Sequence, residues 1–220
     1  MRMDYPTSRW NDHDLIKRFS EKDLGDFFIS DHIALHTISL KLEEISILDL
    51  GCACGKLNSI LQQYFTNWSY TGIDLSSEQI EIARSLYPEH TFFCSTIEET
   101  NNIVLKRNQL VYCVGVAQHV KGLNWLINIM NDLSSRFIVF DLKLHNKDYS
   151  ITDLEISNTG VGDNKIHYNI YSRYDVDSIL DKYFDDTNII RIEYKAKPNP
   201  RVVLPSNIDF FNTTYIIEKK

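Results

Sequence analysis

Apolar positions along this chain follow two spacings, and they change over in order. In FFISDHIALHTISLKLEE (27–44) the apolar residues recur near helical spacing and end in a polar tail, so the first 44 residues predict a helical lead-in. Beyond it lie five short β-rich apolar runs: ISILDL (45–50), WSYTGID (68–74), TFFCS (91–95), QLVYCV (109–114) and RFIVFDL (136–142). KLNSILQQYF and SEQIEIARSLY, between the first runs, and GLNWLINIMNDL, after the fourth, read as helices. Strands alternating with helices of ~10–15 residues imply βαβ units around a parallel sheet.

The ending changes character. SRYDVDSILDKYF predicts a helix, with Asp175 or Ser172 as its N-cap. NIIRIEYKAK (188–197) and TTYIIEKK (213–220) then read as two strands with only a loop between them. Such strands pair antiparallel, because a parallel return needs a crossover of a dozen or more residues. The expected fold is α/β: a seven-stranded, mostly parallel sheet with helices on both faces and an antiparallel last strand. With no repeat, low-complexity segment or Pro/Gly linker, residues 1–220 form one domain, with 1–44 as a cap and 145–171 as an insertion.

Composition narrows the class of partner. The 23 basic residues are outnumbered by 30 acidic ones, the net charge is −7, and no basic run appears. Nucleic-acid binding needs clustered Lys and Arg to displace phosphate counterions, so it is not expected; a small-molecule acceptor is. No apolar stretch reaches the ~20 residues that cross a bilayer, and MRMDYPTSRW is too polar for a signal peptide. The four cysteines (52, 54, 94, 113) lack the spacing of a small secreted domain, so reduced thiols in a cytoplasmic protein are expected. A homodimer stays open.

The candidate chemistry begins at ILDLGCACGKL (47–57), where the first strand runs into its turn. In an open parallel sheet, ligands sit beyond the carboxyl ends of the strands, and glycine lets the backbone approach them closely. A dinucleotide fingerprint would place its last glycine five residues after Gly51, where Lys56 stands, and its middle glycine where Ala53 stands. A pyrophosphate site is therefore disfavoured. The C-x-C of Cys52 and Cys54 is too short for a zinc pair, so no metal is expected and the thiols are read as packing groups. Asp74 ends the second strand, about 20 residues on, where a carboxylate can accept from both ribose hydroxyls; the competing reading is a helix cap, which Ser76 or Ser77 already supplies.

These residues carry a resemblance. DLGCACG resembles the first motif of the class I S-adenosylmethionine-dependent methyltransferases, an acidic residue followed by G-x-G-x-G, with Ala53 departing from the pattern. The Rossmann-like layout of five βα units closed by an antiparallel pair is that family's layout. Carried over, Asp49, Gly51, Cys52, Ala53 and Gly55 form a turn around the methionine part of the cofactor, S-adenosyl-L-methionine. SSEQIEIARSLYPEHTFF is similar to the stretch that follows the ribose acid, Asp74, beside which stands Leu75. In CSTIEE the resemblance places Thr96 where an adenine-facing acid is usual, with the Ile97 N–H next to it. QLVYCVGVAQHV resembles the fourth strand and its turn, which puts Val114 and Gly115 under the cofactor. The resemblance covers residues 45–142 and implies methyl transfer to a small polar metabolite, a sugar or a biosynthetic intermediate.

His119, at the carboxyl end of the fourth strand, is the first candidate base; it is equally read as a structural residue. His167 is the second candidate and His145 a further one. His32 and His36 lack a third ligand and read as surface or packing residues, and no nucleophile elbow appears. The insertion 145–171, with Tyr149, Asp153, Asn164, His167, Tyr168 and Tyr171, has the composition of a polar acceptor pocket or of a solvated loop. Trp10 and Tyr5 either fold over the cofactor or pack on the sheet, and loop 197–210 offers a second rim. Two rival functions stand beside methyl transfer: a non-catalytic module that keeps the fold, and a nicotinamide-dependent dehydrogenase, against which the glycine spacing argues.

Overall fold

A computed structural model describes residues 10–103, 106–160, 165–197, 201–206 and 208–220. The main sheet holds β1 (Glu44–Leu50), β2 (Asn67–Asp74), β3 (Thr91–Cys94), β4 (Asn108–Cys113), β5 (Ser134–His145), β9 (Asn188–Ala196) and β11 (Phe210–Glu218). Their order is β3-β2-β1-β4-β5-β11-β9, and β11 runs antiparallel to both of its neighbours. The order reverses between β1 and β4, which opens a crevice at their carboxyl ends.

Strand alternation divides the core between the two faces. Leu48 and Leu50 turn to one face, with α6 (Leu123–Leu133) and α7 (Arg173–Tyr183) packed over it through Leu126, Met130, Val176 and Leu180. Ile45 and Ile47 turn to the other, beneath α2 (Ile29–Ser39), α3 (Asn58–Leu61) and α4 (Ser77–Leu86). The lead-in comprises two helices, α1 (His13–Ser20), capped by Asp12 accepting from the Leu15 N–H, and α2, joined by a turn at Leu24–Asp26. A short α5 (Thr100–Ile103) precedes β4.

Three elements differ from the sequence reading. The helix expected over 56–65 shrinks to the single turn of α3. There Asn58 Nδ2 donates to the Gly55 carbonyl and Ser59 Oγ to the Lys56 carbonyl, so short polar side chains compete with the helical ladder. The helix at 173–183 starts after Ser172, as expected, yet Ser172 makes no side-chain cap bond, and Asp175 instead accepts from Ser150 Oγ. Segment 145–171 and loop 197–210 come together: β6 (Asn158–Thr159) pairs β7 (Ile166–His167) and β10 (Val202–Val203) in a small second sheet. A two-residue β8 (Tyr171–Ser172) adds to the end of β5.

Candidate functional site

The turn after β1 is built from backbone. Gly51, Ala53 and Gly55 all have left-handed φ, at 79°, 49° and 71°. The Gly51 and Cys52 N–H groups donate to the Ile73 carbonyl, at 2.8 and 3.1 Å, so the turn folds onto β2. A Cβ on Gly51 would lie 2.3 Å from Val116, and one on Gly55 2.8 Å from the Phe92 ring. Both glycines are sterically required. Ala53 holds the same kind of backbone with a side chain, at a cost of about 1 kcal/mol. Its N–H donates to Asp74 Oδ2 at 2.9 Å, which stitches the turn to the end of β2.

Asp74 spends its other oxygen on the Ser76 N–H, 2.9 Å away. Burial raises its carboxyl pKa, and the backbone N–H groups of Ser76, Ala53 and Leu75 oppose that shift. The α4 cap is Ser76, whose hydroxyl accepts from the Gln79 N–H, so the capping role considered for Asp74 is filled elsewhere. Asp49 is 5% exposed and accepts from the Tyr70 hydroxyl. Loss of solvent pushes its pKa up to about 7, the hydrogen bond from Tyr70 opposing, and nearby Asp74 adds to the rise.

The crevice has two limbs of ≈ 160 and ≈ 140 Å³ that share Phe19, Gly51, Ala53, Val114 and Gly115. Asp74, Leu75, Ser95, Ile97, His119 and Trp10 line the first limb; Asp49, Cys52, Lys22, Asp31 and Tyr112 line the second. A Cβ on Gly115 would meet nothing within 4 Å, and the Gly115 N–H donates to Asp141 Oδ1 at 2.6 Å. The roof is Trp10. Its carbonyl accepts from Gln79 Nε2 at 2.7 Å, while Asn11 Oδ1 next to it accepts from Ser76 Oγ at 2.7 Å. Its ring meets the His119 ring edge-on, with centroids 5.2 Å apart.

Several residues named from sequence lie outside the two limbs. Thr96 is missing from both linings: its hydroxyl accepts from the Glu99 N–H and caps the turn Ile97–Glu99, while Ser95 and Ile97 face the ligand space. Gly55 lines neither limb and packs under Phe92. Cys52 and Cys54 are buried, with thiol pKa values raised by burial, and Cys52 Sγ packs so close to Gly72 that a Cβ there would lie 2.7 Å away. Among the described residues no group of three or more His, Cys, Asp and Glu is placed to hold a metal ion. Tyr5 and Asn164 lie outside the described residues.

The two candidate histidines part company. His119 Nδ1 is 2.7 Å from the His167 carbonyl, which accepts its hydrogen; Nε2 then carries the lone pair, 3.3 Å from Gln118 Nε2. The His167 side chain lines a separate cavity on the far side of that wall. His145 donates from Nε2 to the Tyr149 carbonyl at 2.6 Å and lies away from both limbs. Lys22, Asp31 and Tyr112 were not legible as site residues. The Tyr112 hydroxyl donates to Asp31 Oδ1 across 81 positions, a pairing no local pattern signals.

Comparison with known proteins supplies the family context. Residues 47–133 match the family model described as a methyltransferase domain. A 59-residue stretch is 39% identical to a malonyl-[acyl-carrier protein] O-methyltransferase of Priestia megaterium (strain DSM 319 / IMG 1521), covering 26% of this chain and 22% of that protein. The chain thus matches about a fifth of that relative's length. The fold is similar to magnesium protoporphyrin IX methyltransferase from Synechocystis PCC 6803 with bound S-adenosylmethionine: TM-score 0.61, 14% identity, 100% of this chain and 99% of that one covered. An S-adenosylmethionine-dependent methyltransferase from Clostridium acetobutylicum ATCC 824 gives a TM-score of 0.57 at 14% identity, covering 92% of this chain and 91% of that one. No helix among the described residues is long and apolar enough to cross a membrane.

Proposed function

We propose that this chain, a class I S-adenosylmethionine-dependent methyltransferase in fold and in its central segment 47–133, moves a methyl group from S-adenosyl-L-methionine to a small polar metabolite, a sugar or a biosynthetic intermediate. The observation that carries the reading is the Ala53 N–H to Asp74 hydrogen bond, which joins the glycine turn and the β2 acid at one crevice. The cofactor fits there on two grounds. Bare backbone at Gly51 and Gly115 admits a ligand at van der Waals distance, and a carboxylate stands at the end of the next strand.

In this reading the loop of Gly51, Cys52 and Ala53 cradles the amino-acid tail, with Gly55 closing the turn against Phe92, and Asp49 faces its ammonium. Asp74 takes the ribose hydroxyls, Leu75 and Ile97 flank the adenine, and Val114 and Gly115 lie beneath. Thr96 acts indirectly by holding the turn that presents Ile97. When bound, the cofactor supplies an electrophilic methyl on a sulfonium. The protein's task is to hold a nucleophile in line with it and keep water out, and orientation of this kind is worth about 7–11 kcal/mol. The second limb takes the amino-acid tail where Asp49 and Cys52 line it, and its remaining part, with Asp31, Tyr112 and Lys22, is the acceptor's place; that charged and phenolic lining suits a polar molecule. His119 Nε2 takes a proton where the acceptor carries one, and His167 positions that ring through its carbonyl. The charge of −7, with no basic run, fits a small-molecule partner and not nucleic acid, and the reduced cysteines fit the cytoplasm.

Isothermal titration of the full chain with S-adenosylmethionine, its demethylated product and NAD tests the cofactor assignment. Binding of the first two and not the third is expected; failure to bind either sulfur compound removes the proposal. Release of demethylated product with a panel of sugars and polar metabolites tests turnover. Binding with no turnover on any acceptor would favour the non-catalytic module.

A further inference from the structure

Among the described residues a further cavity is larger than either limb of the crevice. It measures ≈ 580 Å³, a normal size for a small-molecule site, and is lined by Lys121, Thr152, His167, Asn169, Tyr174 and Asp175 among others. None of its lining residues lines either limb of the crevice. Methyl transfer as proposed above uses none of its side chains, only the His167 carbonyl that holds His119.

The hydrogen-bonding state of its inner wall is unusual. Asn169 is 2% exposed; its Nδ2 donates to the Val120 carbonyl at 2.7 Å and the Tyr171 hydroxyl at 3.0 Å, while its Oδ1 is buried with no partner. His167 Nδ1 is 3.0 Å from the Thr152 carbonyl, so that nitrogen carries the hydrogen, and Nε2 is left as a buried acceptor with no partner. Burial lowers the His167 pKa, with the Lys121 charge acting in the same direction. Two buried acceptors without donors are costly in a folded protein, and such groups mark a place where a missing donor belongs. Opposite them stand groups of the other kind. Lys121 carries an ammonium, and residues from the first turns of the 11-residue helices α6 and α7 are on the lining. Tyr174, also on the lining, is 76% exposed and offers a free ring face.

We infer that this cavity is a second binding site, for a small polyhydroxylated ring of the monosaccharide type. A hydroxyl is both donor and acceptor, so one ring can donate to the Asp175 carboxylate, accept from Lys121 and, with a small rotation of the two side chains toward the cavity, donate to Asn169 Oδ1 and His167 Nε2. Its C–H face lies against Tyr174. A purely anionic ligand would leave the two orphan acceptors unsatisfied and would face Asp175; a purely apolar one would satisfy nothing.

The site also backs onto the crevice. The His167 carbonyl holds His119 Nδ1, and the Asn169 N–H donates to the Gln118 carbonyl at 2.7 Å. A ring seated on 167–169 therefore presses on the same short segment that fixes the crevice wall.

Amide NMR titration of the ¹⁵N-labelled full chain with glucose, galactose, mannose, ribose and N-acetylglucosamine tests the inference. At least one sugar should give saturable shifts at Lys121–Asn124 and His167–Asn169, with a Kd of about 0.1–10 mM, and the His119 resonances should move with them. Tyr174→Ala, at an exposed position, should weaken binding at least about tenfold, and Ser178→Trp, which fills the cavity from α7, should abolish it. Three results would each overturn the inference: no saturable shift with any of the five sugars, shifts confined to the Gly51–Gly55 turn, or unchanged binding in both variants. Cofactor titration on the same sample remains an independent readout, so loss of one site is distinguishable from loss of the other.

Discussion

The two limbs of the crevice are built from different materials. The first leans on main chain: left-handed Gly51 and Ala53, which it shares with the second, Gly115 with open space above it, and one carboxylate that holds the turn in place. The second is mainly side chain: Asp31 held by Tyr112, Asp49 held by Tyr70, and Lys22 with its ammonium 3.6 Å from the centroid of the Phe27 ring. Backbone fixes a shape and tolerates little substitution. Side chains fix a pattern of polarity and can be exchanged without collapse of the fold. In the proposed reading the difference separates an invariant task, holding one cofactor on the turn, from an adaptable one, choosing an acceptor beside Asp31, Tyr112 and Lys22.

The contrast is broken most directly at Gly51. Gly51→Val adds a branched side chain where φ is +79° and a Cβ alone would lie 2.3 Å from Val116. Cofactor affinity measured by calorimetry should fall by about 100-fold or more, ~2.7 kcal/mol, and thermal stability should fall with it. Asp74→Ala comes next: loss of the ribose contacts should cost about 1–3 kcal/mol of cofactor affinity, and an unchanged value would mean the sugar lies elsewhere. On the second limb, Asp31→Asn keeps the shape and removes the charge. It should raise the acceptor KM about tenfold, ~1.4 kcal/mol, while cofactor Kd stays within twofold; a parallel change in both would erase the division of labour.

A pH series probes the second limb separately, because Asp49 lines that limb and not the first. Its folded pKa of about 7 lies above the ordinary 3.8, so the folded state holds the proton more tightly than the unfolded chain. Its contribution to stability therefore declines as pH climbs from near 3.8 through about 7 and is level above that. Affinity for a ligand with an ammonium should run the other way, rising as Asp49 ionises near pH 7, and Asp49→Asn should flatten that rise in calorimetric titrations. The smallest effect belongs to Ala53→Gly. Relief of the left-handed strain, about 1 kcal/mol, is offset by the greater freedom of glycine in the unfolded chain. The melting midpoint should move by only a few degrees.

What could be read in advance follows the same division. Strands β1 to β5 and the glycine turn announce themselves because their signals are local: alternation within a run, and a residue type that a φ above zero demands. The antiparallel closure by β9 and β11 followed from the absence of a helix between them. The small sheet of β6, β7 and β10 did not, since two-residue strands carry no periodicity and Val202 pairs with Thr159 across 43 positions. Thr96 was assigned by its place after β3, but the backbone there needed a cap and took the hydroxyl. Lys22 and Asp31 sit in a lead-in whose helical pattern reports only which face is buried, not which polar group will meet a ligand.

One detail of the roof bears on timing. Trp10 and Asn11 are held down by Gln79 and Ser76, two side chains of the helix start that follows Asp74. The cover over the crevice is therefore tied down at two points, both on the start of α4 and neither on the turn at Gly51. A change at Gln79 would loosen that cover without altering the turn, and is expected to quicken the departure of whatever lies beneath it.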